Sequence, residues 1–127
     1  MSTIKEQIKE YLAEEGFRPQ EEDYGFYFRY QMLSFLIHWD EDDELFLKIS
    51  LPGIFSTDEN NRVDALEAVN EVNVGRKVVK ALIYDNSVWL TAEQLLDTTP
   101  KFEDIVPRTL GMLMQARESF YDALRSI

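Results

Sequence analysis

Five consecutive acidic residues form the strongest candidate for chemistry in this sequence, and they are Asp40, Glu41, Asp42, Asp43 and Glu44. Clustered carboxylates are the ligands that hard cations such as Ca²⁺ prefer. An EF-hand calcium loop also needs a glycine at its sixth position and a helix on each side, whereas this run continues into Leu45 and its flanks alternate as strands do. We therefore interpret the run as a solvated hairpin turn, and we expect no metal site.

The only histidine of the chain, His38, is the second candidate, because an imidazole can relay protons near neutral pH. The chain has no cysteine, no second histidine and no Gly-x-Ser-x-Gly motif. Nucleophilic triads and histidine-rich metal sites therefore lack their residues. We expect no catalytic residue and no cofactor. The alternative that stays open is a metal-assisted hydrolase that uses residues 40–44 together with His38.

Composition narrows the other function classes. The 127 residues, of which 45% are hydrophobic, predict a single domain over residues 1–127. The formal net charge of -11, from 24 acidic and 13 basic side chains, disfavours binding to nucleic acids and to anionic membranes. The lack of cysteine fits a reducing compartment, and the sequence has neither an apolar signal segment nor a membrane-spanning run. We expect a cytoplasmic protein.

Residues 26–51 must position both candidates, and they alternate apolar with polar side chains as half-buried strands do. We predict three antiparallel strands joined by turns at Gln31 with Met32 and at residues 40–44. Matching the apolar faces pairs Phe28 with Phe35 and Ile37 with Leu47. The predicted core face carries Phe26, Phe28, Tyr30, Leu33, Phe35, Ile37, Trp39, Leu45, Leu47, Ile49 and Leu51.

The opposite face of this meander mixes basic, aromatic and aliphatic side chains, which is unusual in so acidic a chain. Apolar anchors beside a few charged groups are typical of recognition sites. We therefore predict a partner-binding surface for another protein or its unfolded segment, formed by Tyr27, Arg29, Leu36, His38, Phe46 and Lys48.

The rest of the sequence predicts three helices and a second hairpin. A capping box of Thr3 with Glu6 predicts a first helix that stops at Gly16. A second capping box, of Ser56 with Glu59, predicts a second helix over residues 58–73. The apolar stripe of this second helix includes Val63 and Leu66. Strands follow at residues 78–84 and 88–92, and a terminal helix at residues 104–126. The predicted fold is a two-layer α+β domain, in which an antiparallel sheet of about five strands carries three helices mainly on one face.

The second hairpin is apolar on both of its predicted faces. One layer of helices can cover only one of them, so a second subunit or a partner is the natural cover for the other. We therefore predict a homodimer that associates through the second helix and this hairpin, with Val79, Ala81, Ile83 and Trp89 in its interface.

The element order, α-β-β-β-α-β-β-α, resembles the type III secretion chaperone-like fold and, more narrowly, the small bacterial YbjN-like domains. The residues that carry the resemblance lie across residues 4–126, and they are Gly16-Phe17, the turn at residues 40–44, Leu51-Pro52, Asn70, Asn73 and the amphipathic terminal helix. The resemblance implies a protein that is non-enzymatic, often homodimeric, and able to hold unfolded segments of partner proteins. We expect a non-catalytic protein-binding domain, chaperone-like or regulatory, with an orphan structural subunit of a larger complex as the other open alternative.

Overall fold

The computed structural model describes residues 3–127, which form one antiparallel sheet and three helices. The helices are α1 (Ile4–Glu14), α2 (Arg62–Gly75) and α3 (Phe102–Arg125), and the strands are β1 (Gln20–Glu22), β2 (Gly25–Tyr30), β3 (Leu33–His38), β4 (Phe46–Ser56), β5 (Val79–Tyr84) and β6 (Ser87–Leu95). The six strands lie in the order β1-β2-β3-β4-β6-β5. This architecture confirms the predicted α+β fold.

One hydrophobic core fills the space between the sheet and the helices. Alternate residues of β2, β3 and β4, including Phe26, Phe35 and Ile49, are fully buried there. Buried side chains from all three helices complete the same cluster, so the helices share one side of the sheet. We call the other side the open face. The sidedness predicted for the meander is therefore right.

Phe28 pairs with Phe35 as predicted, whereas the register between β3 and β4 differs from the prediction by two residues. Ile37 lies opposite Ile49, where the sequence analysis placed Leu47, and His38 lies opposite Lys48. The reason is the connection, since β3 ends at His38 and β4 begins only at Phe46. A shift of two residues keeps every side chain on its predicted face, because side chains in a strand alternate with period two.

Strand β4 runs further than the sequence analysis predicted. It passes through Pro52 and Gly53 to Ser56, with an irregularity in its pairing to β6 between Leu51 and Phe55. Irregularities of this kind bend a strand. Because Ser56 still belongs to the strand, the predicted capping box at Ser56 is wrong.

Helix α2 accordingly begins at Arg62, with Asn61 as the residue that precedes it. The oxygen Oδ1 of Asp58 accepts hydrogen bonds from the backbone N–H groups of Asn60 and Asn61 at 2.8 and 2.9 Å. The face of α2 that enters the core carries Ala65, Ala68, Val69 and Val72. Val63 and Leu66, predicted as part of the apolar stripe of this helix, lie outside that face and are 67% and 46% exposed.

The faces of the second hairpin also need a correction. Its turn has two residues, Asp85 and Asn86, both with left-handed backbone, so Tyr84 pairs with Ser87 and Ala81 with Leu90. Directly paired residues share a face. Val79, Ala81 and Ile83 therefore lie against the core, whereas Trp89 lies on the open face. The four residues predicted as a dimer interface do not form one surface.

Asn73, near the end of α2, covers the outer edge of β5. Its Oδ1 accepts a hydrogen bond from the backbone N–H of Ala81 at 2.7 Å, and its Nδ2 donates to the carbonyl of Ala81 at 3.1 Å. An edge strand otherwise offers such groups to another chain. The Asn73 side chain thus takes the place of a neighbouring strand at the middle of the edge.

Replacing Asn73 with alanine should lower the free energy of unfolding by about 1–2 kcal/mol, because two hydrogen bonds to one backbone unit are lost. Urea denaturation measures the change. Asn70→Ala is the matched control, since Asn70 lies on the same helix and makes no side-chain hydrogen bond within residues 3–127. Equal losses in both variants would mean that the Asn73 contacts add nothing to stability.

Candidate functional site

All six residues predicted as a partner-binding surface lie on the open face, but they do not form one patch. Tyr27, Leu36, His38 and Lys48 line a groove there. Arg29 lies in a neighbouring depression, where its guanidinium donates to the carbonyl of Met32 at 3.2 Å. Phe46 pairs with Leu95 on β6, outside the groove. Leu36, predicted to be exposed, is only 2% exposed.

The groove has a volume of about 380 Å³. Besides the four predicted residues, it is lined by six that the sequence analysis did not select, namely Tyr24, Ser50, Leu82, Tyr84, Trp89 and Thr91. Small-molecule pockets in proteins have volumes of about 300–1,000 Å³, so the groove lies at the lower end of that range. Its position over β2, β3, β4, β6 and β5 means that nearly the whole sheet contributes to it.

Two pairs of aromatic side chains form the walls of the groove. Tyr24 and Tyr27 stand edge to face with ring centres 6.2 Å apart on the side of β2. Tyr84 and Trp89 form a similar pair at 5.6 Å on the side of the second hairpin. Tyr84 remains 62% exposed, so this wall can contact a ligand. Aromatic side chains offer large rigid contact surfaces at a small cost in conformational entropy.

The floor of the groove is polar and internally hydrogen-bonded. Ser50 and Thr91, both at most 2% exposed, come from β4 and β6. The Ser50 hydroxyl donates to Thr91 Oγ1 at 2.9 Å, and the Thr91 hydroxyl donates to the carbonyl of Ile49 at 3.4 Å. Nε2 of His38 also forms a hydrogen bond with the Ser50 hydroxyl at 2.8 Å. Ser50 is therefore a buried structural hydroxyl and not an accessible nucleophile.

His38 is held in its neutral form. Burial, reinforced by the positive charge of Lys48, lowers the pKa of His38 to about 4, although the carboxylate of Glu93 opposes the shift. Glu93 forms an ion pair with Lys80 at 2.7 Å, and the hydrogen bond from Lys80 lowers the pKa of Glu93. At neutral pH the groove thus presents an uncharged imidazole beside one lysine.

The pKa of His38 can be read without ambiguity, because the chain has no other histidine. We expect its imidazole C2–H proton resonance to titrate with a pKa of about 4. The unfolded chain, with the ordinary pKa near 6.5, binds more protons than the folded chain between these two values. The contribution of His38 to the free energy of unfolding is therefore complete above pH 6.5 and is lost as the pH falls through this window.

That loss should be about 1–2 kcal/mol, which is less than the full linkage value because the partly exposed ring is screened by solvent. Urea denaturation of the native chain and of His38→Gln at pH 7 and at pH 4.5 measures this loss. The difference in unfolding free energy between the two proteins at each pH separates the contribution of His38 from that of the carboxylates. A resonance that titrates near pH 6.5 would contradict the described environment of His38.

The acidic run at residues 40–44 lies apart from this groove. Its residues are exposed, and the Asp40 carboxylate accepts a hydrogen bond from the backbone N–H of Asp42 at 2.9 Å, as in a simple polar turn. Within residues 3–127, no three His, Asp or Glu side chains are grouped so that they could hold a metal ion. None of the helices in that range has the length and apolarity needed to cross a bilayer.

Comparison with known proteins shows which solved structures share the fold of this chain. No protein-family model and no curated protein matches this chain. The chain is similar to the solved structure of an uncharacterized protein from Methanothermobacter thermautotrophicus, with 16% identity, a TM-score of 0.68 and 97% of each chain covered. It is also similar to YbjN from E. coli, for which a role as a transcription regulator has been suggested, with 11% identity, a TM-score of 0.70, and 92% of this chain and 88% of YbjN covered. The chain therefore has the YbjN-like fold.

Proposed function

We propose that this protein is a non-catalytic, protein-binding domain of the cytoplasm, chaperone-like or regulatory, which holds an extended segment of a partner protein in the open-face groove. The observation that carries the proposal is the groove itself, about 380 Å³ in volume and walled by two aromatic pairs on the side of the sheet that the helices leave uncovered. Binding sites for apolar side chains typically have exposed aromatic residues around a buried centre, as this groove does.

The groove favours binding over catalysis because its polar floor is already satisfied. The hydroxyls of Ser50 and Thr91 are engaged with each other, with His38 and with the backbone. A nucleophile would need an exposed hydroxyl and a base that takes its proton. The Ser50 hydroxyl is instead buried and hydrogen-bonded to Thr91, so it is not an exposed nucleophile.

The similarity to YbjN supports the regulatory form of the proposal, because a role as a transcription regulator has been suggested for that protein. The hydrolase alternative finds no support, since residues 40–44 and His38 are not grouped as a metal site in the described chain. A structural subunit of a larger complex would also bind other proteins, but its groove would be filled permanently and not reversibly.

Site-specific photocrosslinking in the native host tests the proposal. The photoreactive residue benzoylphenylalanine replaces Tyr84 in the groove wall, and in a control variant it replaces Glu118, which is exposed on α3. We expect position 84, and not position 118, to capture defined proteins, each attached through a segment that is extended or unfolded. Capture of the same proteins from both positions, or of none from position 84, would contradict the proposal.

We also propose a homodimer, but through the outer surface of α2. Val63, Leu66 and Val74 form an exposed apolar stripe along that helix, beside a cavity of about 640 Å³ at the end of α3. A two-fold pairing of this stripe with its copy would bury these apolar side chains.

Light scattering at increasing protein concentration should give twice the chain mass for the native protein. Leu66→Glu should shift the mass to that of a monomer, because two such charges would be buried in the interface. Leu95→Glu is the control, since Leu95 is equally apolar and 81% exposed but lies on the open face. A monomeric native protein at high micromolar concentration would refute the dimer.

A further inference from the structure

The open-face groove differs in charge from the chain that forms it. The formal net charge of the chain is -11. None of the ten residues that line the groove is acidic, and one of them, Lys48, is a cation. With His38 neutral, the lining therefore carries a single positive charge. The groove is thus a locally positive site in an acidic protein, which favours an anionic ligand.

Lys48 is available to such a ligand. Glu93 lies directly opposite Lys48 across β4 and β6, yet it forms its ion pair with Lys80 at 2.7 Å. In the described part of the chain, no carboxylate lies within ion-pair distance of the Lys48 ammonium group. Lys48 and Glu93 both act on the pKa of His38, but Lys48 lowers it more than Glu93 raises it, so the positive charge outweighs the negative one at the groove.

The second property of the groove is its apolar surface, which is supplied by Tyr24 and Tyr27 on one side and by Leu82, Tyr84 and Trp89 on the other. A ligand that uses both properties must combine an anionic group with a large apolar body. Among the side chains of a protein segment, an Asp or Glu near a Trp, Phe or Leu meets this requirement.

We propose that the segment held in the groove binds through a carboxylate at Lys48 and a large apolar side chain between the two aromatic pairs. This inference rests on the proposed function and names the chemistry of the partner. In an extended segment, side chains two positions apart point to the same side. The recognised pattern is therefore an apolar residue separated by one residue from an acidic residue.

Three matched peptides with acetylated and amidated ends test the pattern, namely Ser-Thr-Trp-Thr-Glu-Thr-Ser and its versions with Gln or Lys in place of Glu. Their affinities are measured by NMR titration of the native chain, Lys48→Met and Lys48→Arg. The native chain should bind the Glu peptide about fivefold more tightly than the Gln peptide, as expected for one partly exposed ion pair. Lys48→Met should abolish this preference and Lys48→Arg should retain it. The bound Glu peptide, unlike the Gln peptide, should also raise the pKa of His38.

Equal affinities of the native chain for the Glu and Gln peptides would overturn the inference while leaving segment binding intact. Absence of binding by all three peptides would overturn it too, and the photocrosslinking experiment then decides separately whether the groove holds any segment. N-acetyltryptophan and its amide form a further arm of the test. Tighter, Lys48-dependent binding of this free acid than of the Glu peptide would contradict a protein segment as the source of the carboxylate.

Discussion

Gly25→Ala is expected to destabilise the protein by about 2–4 kcal/mol, a large part of the stability of an ordinary domain. A Cβ atom at position 25 would lie 2.0 Å from the carbonyl oxygen of Ile37 and 3.1 Å from Cα of His38. Both neighbours are backbone atoms of the paired strand β3, so no flexible side chain can move aside. The strands β2 and β3 must separate where His38 enters the groove.

Gly111→Ala is the matched control for this substitution. Gly111 lies inside α3, and a Cβ atom there would meet nothing within 4 Å. Alanine should therefore stabilise the helix by about 0.5–1 kcal/mol, because glycine loses more backbone entropy on folding. Urea denaturation of both variants should give changes of opposite sign. A Gly25→Ala variant as stable as the native chain would contradict the described contact between β2 and β3.

Trp89→Ser should weaken binding of the held segment about thirtyfold, which corresponds to the loss of a central aromatic anchor worth about 2 kcal/mol. Trp89 forms one wall of the groove with Tyr84, and its indole N–H donates to the Ser87 hydroxyl at 3.1 Å. The ring is thus oriented before a ligand arrives, so little ordering entropy opposes binding. The affinity is measured with a partner segment identified by photocrosslinking.

Leu95→Ser is the control for the effect of Trp89→Ser on binding. Leu95 is on the same strand and the same face as Trp89 but does not line the groove. Its replacement should leave the affinity unchanged, and urea denaturation of both variants separates binding from stability. Comparable losses of affinity in the two variants would indicate a diffuse apolar face and not a defined groove.

The alternation of residues 26–51 was sufficient to predict which side of the meander is buried. A period of two determines the face of every residue once one face is apolar, so even the two-residue error in pairing left the faces intact. The capping box at Thr3 also predicted the start of α1, where Thr3 Oγ1 accepts from the backbone N–H of Glu6 at 3.1 Å. Local patterns of this kind are contained in the sequence.

The groove could be predicted only in part. The predicted strands at residues 78–84 and 88–92 leave a turn of three residues between them, whereas the actual turn has two, Asp85 and Asn86, which reverses the face of Trp89. The Asp-Asn pair in this turn was the available signal, because such residues tolerate left-handed backbone. Ser50 and Thr91 meet across 41 positions of sequence, so no local pattern indicates their contact.

The most direct test of the central claim is to map, by backbone amide NMR, where a captured partner segment binds to the native chain. We expect chemical-shift changes at Tyr27, Leu36 and Thr91 and at the indole of Trp89, all on the open face, with little change on the outer surface of α2. Changes confined to Val63 and Leu66 on α2, with the groove resonances unmoved, would show that the segment binds to α2 and not in the open-face groove.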